Sequence, residues 1–244
     1  MSKFFIVAAV VMVNFAQAQI AEQLFMEKYS KVGLEFVSQL MLTTNTANIA
    51  SFKWEESRSI GAGATYNFYQ KKDLNLKAGV FFNMFDINTT VIATDNNNVR
   101  QTYAGEEGRY ALFSLPIDAE YYFKITTNTL FSVQAGPELT TNNYGYDVAR
   151  SVRLTNNTSV ETFSFSKKPP IFFGMNIGAS VSFLTKSTLL KVNVKYHRSF
   201  SEFMYKGNST ITIDGTDSFA TQLLTGSYIG FGISIYPNKD LFNF

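Results

Sequence analysis

The chain of 244 residues contains no cysteine and a single histidine, and only 16% of its residues are charged. Without cysteine there is no disulfide framework, no cysteine zinc site and no thiol nucleophile. One histidine leaves no His/Cys cluster, and with no HExxH pattern a transition-metal centre is not expected. Soluble domains average about 25% charged residues, so the shortfall points to a surface that meets something other than water. A formal charge of +2 is too small to hold nucleic acid. Long apolar runs are scarce too. None reaches the roughly 20 residues of a spanning helix. A membrane-spanning form of this chain must then be a closed barrel, because only helices and barrels satisfy every backbone group in lipid.

Aromatic residues are plentiful, with 24 Phe and 13 Tyr. At the N-terminus Lys3 precedes an apolar stretch from Phe4 to Val13, and Ala16-Gln17-Ala18 supplies a small-x-small step. This pattern predicts a signal peptide over residues 1–18, cleaved before Gln19. Asn14 and Gln17 interrupt the apolar run, which argues against an anchor helix. No cysteine follows it, so no lipid attachment is expected. Residues 19–30 read as a short periplasmic lead-in, and 31–244 as one domain.

From Lys31 onward the pattern alternates with period two. Eight segments stand out: 32–42, 59–69, 74–85, 110–123, 129–140, 171–183, 188–200 and 224–236. A tilted strand needs 9–11 residues to cross a bilayer. The connections alternate in length. Residues 71–73, 124–128 and 184–187 read as short turns, and 43–58, 86–109, 141–170 and 201–223 as long polar loops, the asymmetry expected of outer-membrane barrels. The predicted fold is all-β, an eight-stranded antiparallel transmembrane β-barrel of up-and-down topology.

The two strand faces decide between lipid and water outside. In the last segment Ile229, Phe231, Ile233 and Ile235 oppose Gly230, Gly232 and Ser234. In the sixth, Phe173, Met175, Ile177, Ala179 and Val181 oppose Gly174, Asn176, Gly178, Ser180 and Ser182. In the second, Ile60, Ala62, Ala64, Tyr66 and Phe68 oppose Gly61, Gly63, Thr65 and Asn67. The polar face is also the small face. Repeated glycine weakens a strand, so its use there indicates crowding in a narrow interior. Glu35, Lys77, Asp118, Glu120, Glu138, Lys191 and Lys195 fall on the same faces, and isolated charges there are costly enough that pairing across the lumen is expected. Aromatics gather near both strand ends. Tyr66, Phe68, Tyr69, Tyr121, Phe123, Phe183 and Tyr236 lie by the short turns, and Phe82, Phe85, Tyr110, Phe113 and Phe173 toward the long loops, as two interfacial girdles would.

Several short motifs resemble one family. Leu115-Pro116-Ile117 followed by Tyr121-Tyr122-Phe123, then Gln134-Ala135-Gly136-Pro137, Phe173-Gly174 with Ile177-Gly178-Ala179, and Val194-Lys195-Tyr196 occur in the order seen in PorT-like outer-membrane β-barrel proteins of Bacteroidetes. The resemblance spans nearly all of the mature chain. It implies a single barrel in the cell envelope, at the outer membrane, and brings no catalytic residues with it. Some members of that family serve secretion and gliding. Gly230, Ile233 and Ile235 also have the spacing of a barrel-assembly signal, with 241–244 extending beyond it.

Chemistry is sparse. His197 aims into the lumen near the loop end, where Ser199 or Ser201 and a loop acid such as Asp217 would complete a His-Ser-Asp set if geometry allowed. Asp95-Asn96-Asn97-Asn98 lacks the spaced ligands and closing Glu of a calcium loop. No metal and no cofactor is expected. The loops carry the binding candidates Trp54, Tyr103, Tyr144, Tyr146, Phe203 and Tyr205, with Phe52 beside them, because exposed loop aromatics favour binding. The expected function is a non-enzymatic binding or structural role through the loops or through another envelope protein. The expected partners are outer-membrane lipids and, during insertion, the barrel-assembly machinery. Two alternatives stand beside it: a lipid-acting enzyme at the mouth, and a narrow transporter of a small hydrophobic ligand.

Overall fold

A computed structural model describes residues 28–47, 52–54, 58–71, 73–94, 100–142, 148–155, 158–166, 171–213 and 215–241. The expected signal peptide and most of the lead-in lie outside these residues. The strands are β1 (Val32–Ala47), β2 (Phe52–Trp54), β3 (Arg58–Lys71), β4 (Leu74–Thr94), β5 (Arg100–Thr126), β6 (Thr129–Asn142), β7 (Val148–Thr155), β8 (Thr158–Ser166), β9 (Ile171–Leu184), β10 (Thr188–Ser199), β11 (Tyr205–Ile213) and β12 (Thr216–Pro237).

Eight of them close a ring in the order β1-β3-β4-β5-β6-β9-β10-β12, with β12 returning to β1. Every pairing is antiparallel, and closure runs from Leu34↔Ile235 to Leu40↔Ile229 before a shift at Met41/Thr43. The fold is an eight-stranded antiparallel β-barrel. Seven of the eight expected segments fall inside ring strands, and the eighth, 188–200, runs one residue past β10. The Tyr29↔Asn238 bridge holds both ends of the described chain at the end with the short turns.

The alternation of the sequence becomes the inside and outside of the wall. Ile60, Leu34, Phe36, Val80, Ile177, Phe231 and Ile233 are exposed on the outer surface, while Glu35, Asn67, Lys77, Glu120 and Ser234 are buried inside. A water-soluble barrel has the opposite polarity. An apolar exterior over a polar lumen is the arrangement that suits lipid.

The long loops of the sequence reading are largely strands. β5 has 27 residues and β4 has 21. At about 3.3 Å per residue, β5 is roughly 90 Å long, about two to three times what a tilted crossing of 9–11 residues needs. The other ring strands continue upward through breaks: β2 runs on beyond β3, β7 beyond β6, β8 beyond β9 and β11 beyond β10. In this extension β12 pairs β11, β11 pairs β8 and β8 pairs β7. On the other side β2 pairs β4, which pairs β5. Eight columns therefore continue in the same order as below. Among the described residues, β7 pairs only β8, and the part of β5 above Leu112 pairs only β4.

Candidate functional site

Glycines make the lumen habitable for large side chains. A Cβ on Gly33 would lie 2.4 Å from the Tyr236 ring, one on Gly174 would lie 2.4 Å from the His197 imidazole, and one on Gly232 would lie 2.8 Å from a Glu35 carboxylate oxygen. The small face is small because its neighbours are not.

All seven charged residues expected in the lumen are buried there. They form two nests. Toward the turn end, Lys191 donates to Glu120 Oε1, and Lys77 Nζ lies 3.8 Å from Glu120 and 3.9 Å from Asp118. Glu120 also accepts from Ser132 and, at 2.9 Å, from the Tyr122 hydroxyl. Lys77 donates to Gln134 Oε1 at 2.5 Å. Toward the extension, Glu138 takes Lys195 at 3.4 Å, Asn176 Nδ2 at 2.9 Å and the Tyr228 hydroxyl at 2.9 Å. Removing two charges from water costs several kcal/mol per ion, and attraction offsets this only where the remaining lone pairs and protons are also bonded. Glu120 and Glu138 meet that condition. Glu35 departs from the expected ionic pairing. Its partners are neutral donors, Asn193 Nδ2 at 3.0 Å and Ser234 Oγ at 2.9 Å.

Apolar plugs close both ends. At the turn end Tyr29, Tyr122, Leu130, Leu184, Leu189 and Tyr236 pack together. At the extension end Met41, Phe85, Leu112, Phe172, Met204, Tyr205, Leu224 and Tyr228 do so. Three expectations are corrected here. Tyr236 and Phe85 are not girdle residues. Both point inward and are about 4% and 2% exposed respectively, and the Tyr236 hydroxyl is 2.8 Å from Thr65 Oγ1. Tyr205 is not a loop-binding aromatic, because it is buried in the upper plug. The physical reason is common to all three. The interior of an eight-stranded barrel is just wide enough for side chains, and inward-facing aromatics near the strand ends fill it. Between the plugs, a cavity of about 10 Å³ borders Glu35, Lys77, Asp118 and Lys195, room for about one water molecule.

The remaining loop aromatics divide. Phe203 is half-buried. Phe52 and Trp54 belong to β2 and Tyr103 to β5 by backbone pairing. Tyr144 and Tyr146 lie outside the described residues. Backbone register sets Phe52 and Tyr103 on either side of Val91.

His197 is buried as expected. Its Nδ1 is 2.9 Å from Asn176 Oδ1 and 4.0 Å from Glu138, and its ring stacks on Tyr228 with centroids 4.9 Å apart. The other members of the considered triad are engaged elsewhere. Ser199 Oγ accepts from the Ser201 amide, and Asp217 accepts from Thr212 in the exposed β11–β12 turn. The imidazole has a carboxylamide and an acid beside it and no described serine nucleophile. Among the described residues no group of three His, Asp or Glu side chains is placed to hold a metal ion.

No family model and no curated protein matches the sequence. Among solved structures the likenesses are distant. OprG of Pseudomonas aeruginosa aligns over 86% of this chain and 96% of its own, with 11% identity and a TM-score of 0.43. Neisserial surface protein A aligns over 84% and 97%, with 16% identity and a TM-score of 0.36. The toluene transporter TodX of Pseudomonas putida aligns over 86% and 68%, with 11% identity and a TM-score of 0.34. With likenesses this distant, nothing about activity passes from these proteins to this chain.

Proposed function

We propose that the protein is exported to a bacterial outer membrane, spans it as a non-enzymatic and non-conducting barrel, and acts by binding through its strand extension, either to a partner outside the cell or to another envelope protein. The apolar exterior supports the membrane placement, and the PorT-like order of short motifs supports the same address. The barrel-assembly machinery is then the partner required for insertion.

One observation carries the functional part. The lumen is capped by two apolar plugs, and between them its charges are bonded to one another or, for Glu35, to neutral donors, which supports a barrel with no aqueous path. What remains available for recognition is the extension, where among the described residues β7 and the upper part of β5 have a strand partner on one side only. Sheet edges of that kind accept an added strand. Purified protein in a planar lipid bilayer should show no steady conductance, and removing residues 148–166 should abolish the biological phenotype while His197→Ala leaves it intact. A sustained open level from the wild-type protein overturns the sealed-barrel reading. Loss of function in His197→Ala at normal abundance transfers the role to the lumen.

A further inference from the structure

Lysine marks every connection at the turn end. Lys28 and Lys31 precede β1, Lys71 ends β3, Lys124 is near the end of β5, Lys186 lies in the β9–β10 turn and Lys239 follows β12. Five of these side chains are exposed and Lys124 is half-buried. Taken in ring order they surround the rim, because β1, β3, β5, β9, β10 and β12 are distributed around the whole circle. Acids on this rim, among the described residues, are Asp73, which is buried, and Asp240. The opposite end is mixed: Arg58 and Arg198 are exposed there with Glu161, Glu202 and Asp217.

Height sharpens the pattern. Tyr69, Phe123 and Phe183 face outward one to three residues before Lys71, Lys124 and Lys186. Outward aromatics near strand ends sit at the headgroup level. A lysine slightly further along lays its alkyl stem on apolar surface and carries its ammonium into the phosphate layer. On one side of the rim, a groove of about 550 Å³ is bordered by Lys28, Lys186, Asn128, Asn238 and the acid Asp240, a mixed polar lining in a concave setting.

We infer that the turn end docks on anionic phospholipid headgroups of the leaflet it faces, through this ring of lysines. The inference rests on the membrane placement proposed above. Basic residues beside an anionic surface attract it within about a Debye length, and a ring contacting headgroups on all sides also fixes how deep the barrel sits.

The test uses the full mature chain in nanodiscs of mixed phosphatidylglycerol and phosphatidylcholine. Lipids that stay with the protein after transfer to neutral detergent are quantified by mass spectrometry. The wild type should retain phosphatidylglycerol about threefold or more above its bulk share at low salt, and the excess should fall in high salt. The combined variant Lys31→Gln, Lys71→Gln, Lys124→Gln and Lys186→Gln should retain lipid at the bulk ratio, while Arg198→Gln at the other end should behave as wild type. Retention at the bulk ratio by correctly inserted wild-type protein overturns the inference and leaves the membrane placement standing. Undiminished enrichment in the combined variant, or its loss in Arg198→Gln, overturns it also. Bulk-ratio lipid together with salt-sensitive binding to purified peptidoglycan overturns it in favour of the cell wall. Failure of the wild type to enter nanodiscs of either lipid removes the membrane placement and this inference with it.

Discussion

The barrel wall and the extension above it are built from the same eight columns under different solvents. In the wall every ring strand has two hydrogen-bonded neighbours and the circle is complete. In the extension four of the columns are interrupted, and among the described residues β7 pairs only β8, the upper part of β5 and β2 pair only β4, and β1 beyond Leu40 pairs only β12, while the exposed side chains mix charge with apolar groups. Lipid tolerates no unpaired backbone group, and water tolerates many. On the membrane placement proposed above, the change from a closed circle to a split one marks the edge of the bilayer.

The comparison can be broken most severely in the lumen. Glu120→Leu leaves Lys191 and Lys77 buried without their shared acid, and should cost about 3–5 kcal/mol in urea unfolding of the detergent-refolded protein. Adding Lys191→Met should recover part of it. A cost near zero for the single variant means that water reaches the lumen, and the plugs do not seal it. A smaller effect separates two points on one strand. Ile233 and Phe219 both lie on β12, exposed by 48% and 61%. Ile233→Arg should cost about 2–4 kcal/mol if the residue lies at the bilayer midplane. Phe219→Arg, in the extension, should change stability by less than about 0.5 kcal/mol. Equal costs at the two sites would put the extension in the same medium as the wall. The smallest effect concerns the outermost hairpin. Removing residues 148–166 and joining β6 to β9 by a short turn should leave the unboiled band migrating faster than the boiled one on a detergent gel, since no ring pairing uses β7 or β8. Loss of the fast band would show that the extension holds the wall together.

The wall was legible in the sequence because lipid and lumen impose opposite demands on alternate residues. Ile229 to Ile235 and Gly174 to Ser182 show that alternation plainly, and the seven lumen charges follow from its parity. The extension was not legible for the complementary reason. Around β7, β8 and β11 the alternation is short: Phe163 and Phe165 alternate with Ser164 and Ser166, and Ile211 and Ile213 with Thr212, runs too brief to cross a bilayer, so strands there read as loops. The plugs escaped notice differently. Tyr236, Phe85 and Tyr205 have the residue types of a girdle or a binding loop, and only parity counted from a confirmed neighbour turns them inward. Tyr236 follows Ile235, an outward residue, and that was the available signal. Glu35 gave no sign that two neutral donors would suffice for it, since Asn193 and Ser234 are remote in the chain.

That remoteness has a kinetic consequence. The bond from Ser234 to Glu35 spans 199 positions, the one from Asn193 to Glu35 spans 158, and Thr65 meets Tyr236 across 171. Contacts of such high order are reached only after the entropy of closing very long loops has been spent. Glu35 enters the lumen at the start of the barrel and obtains one of its two donors only when β12, the last strand, arrives. Most of the chain must therefore be in place before Glu35, the first acid of the lumen, has both of its donors.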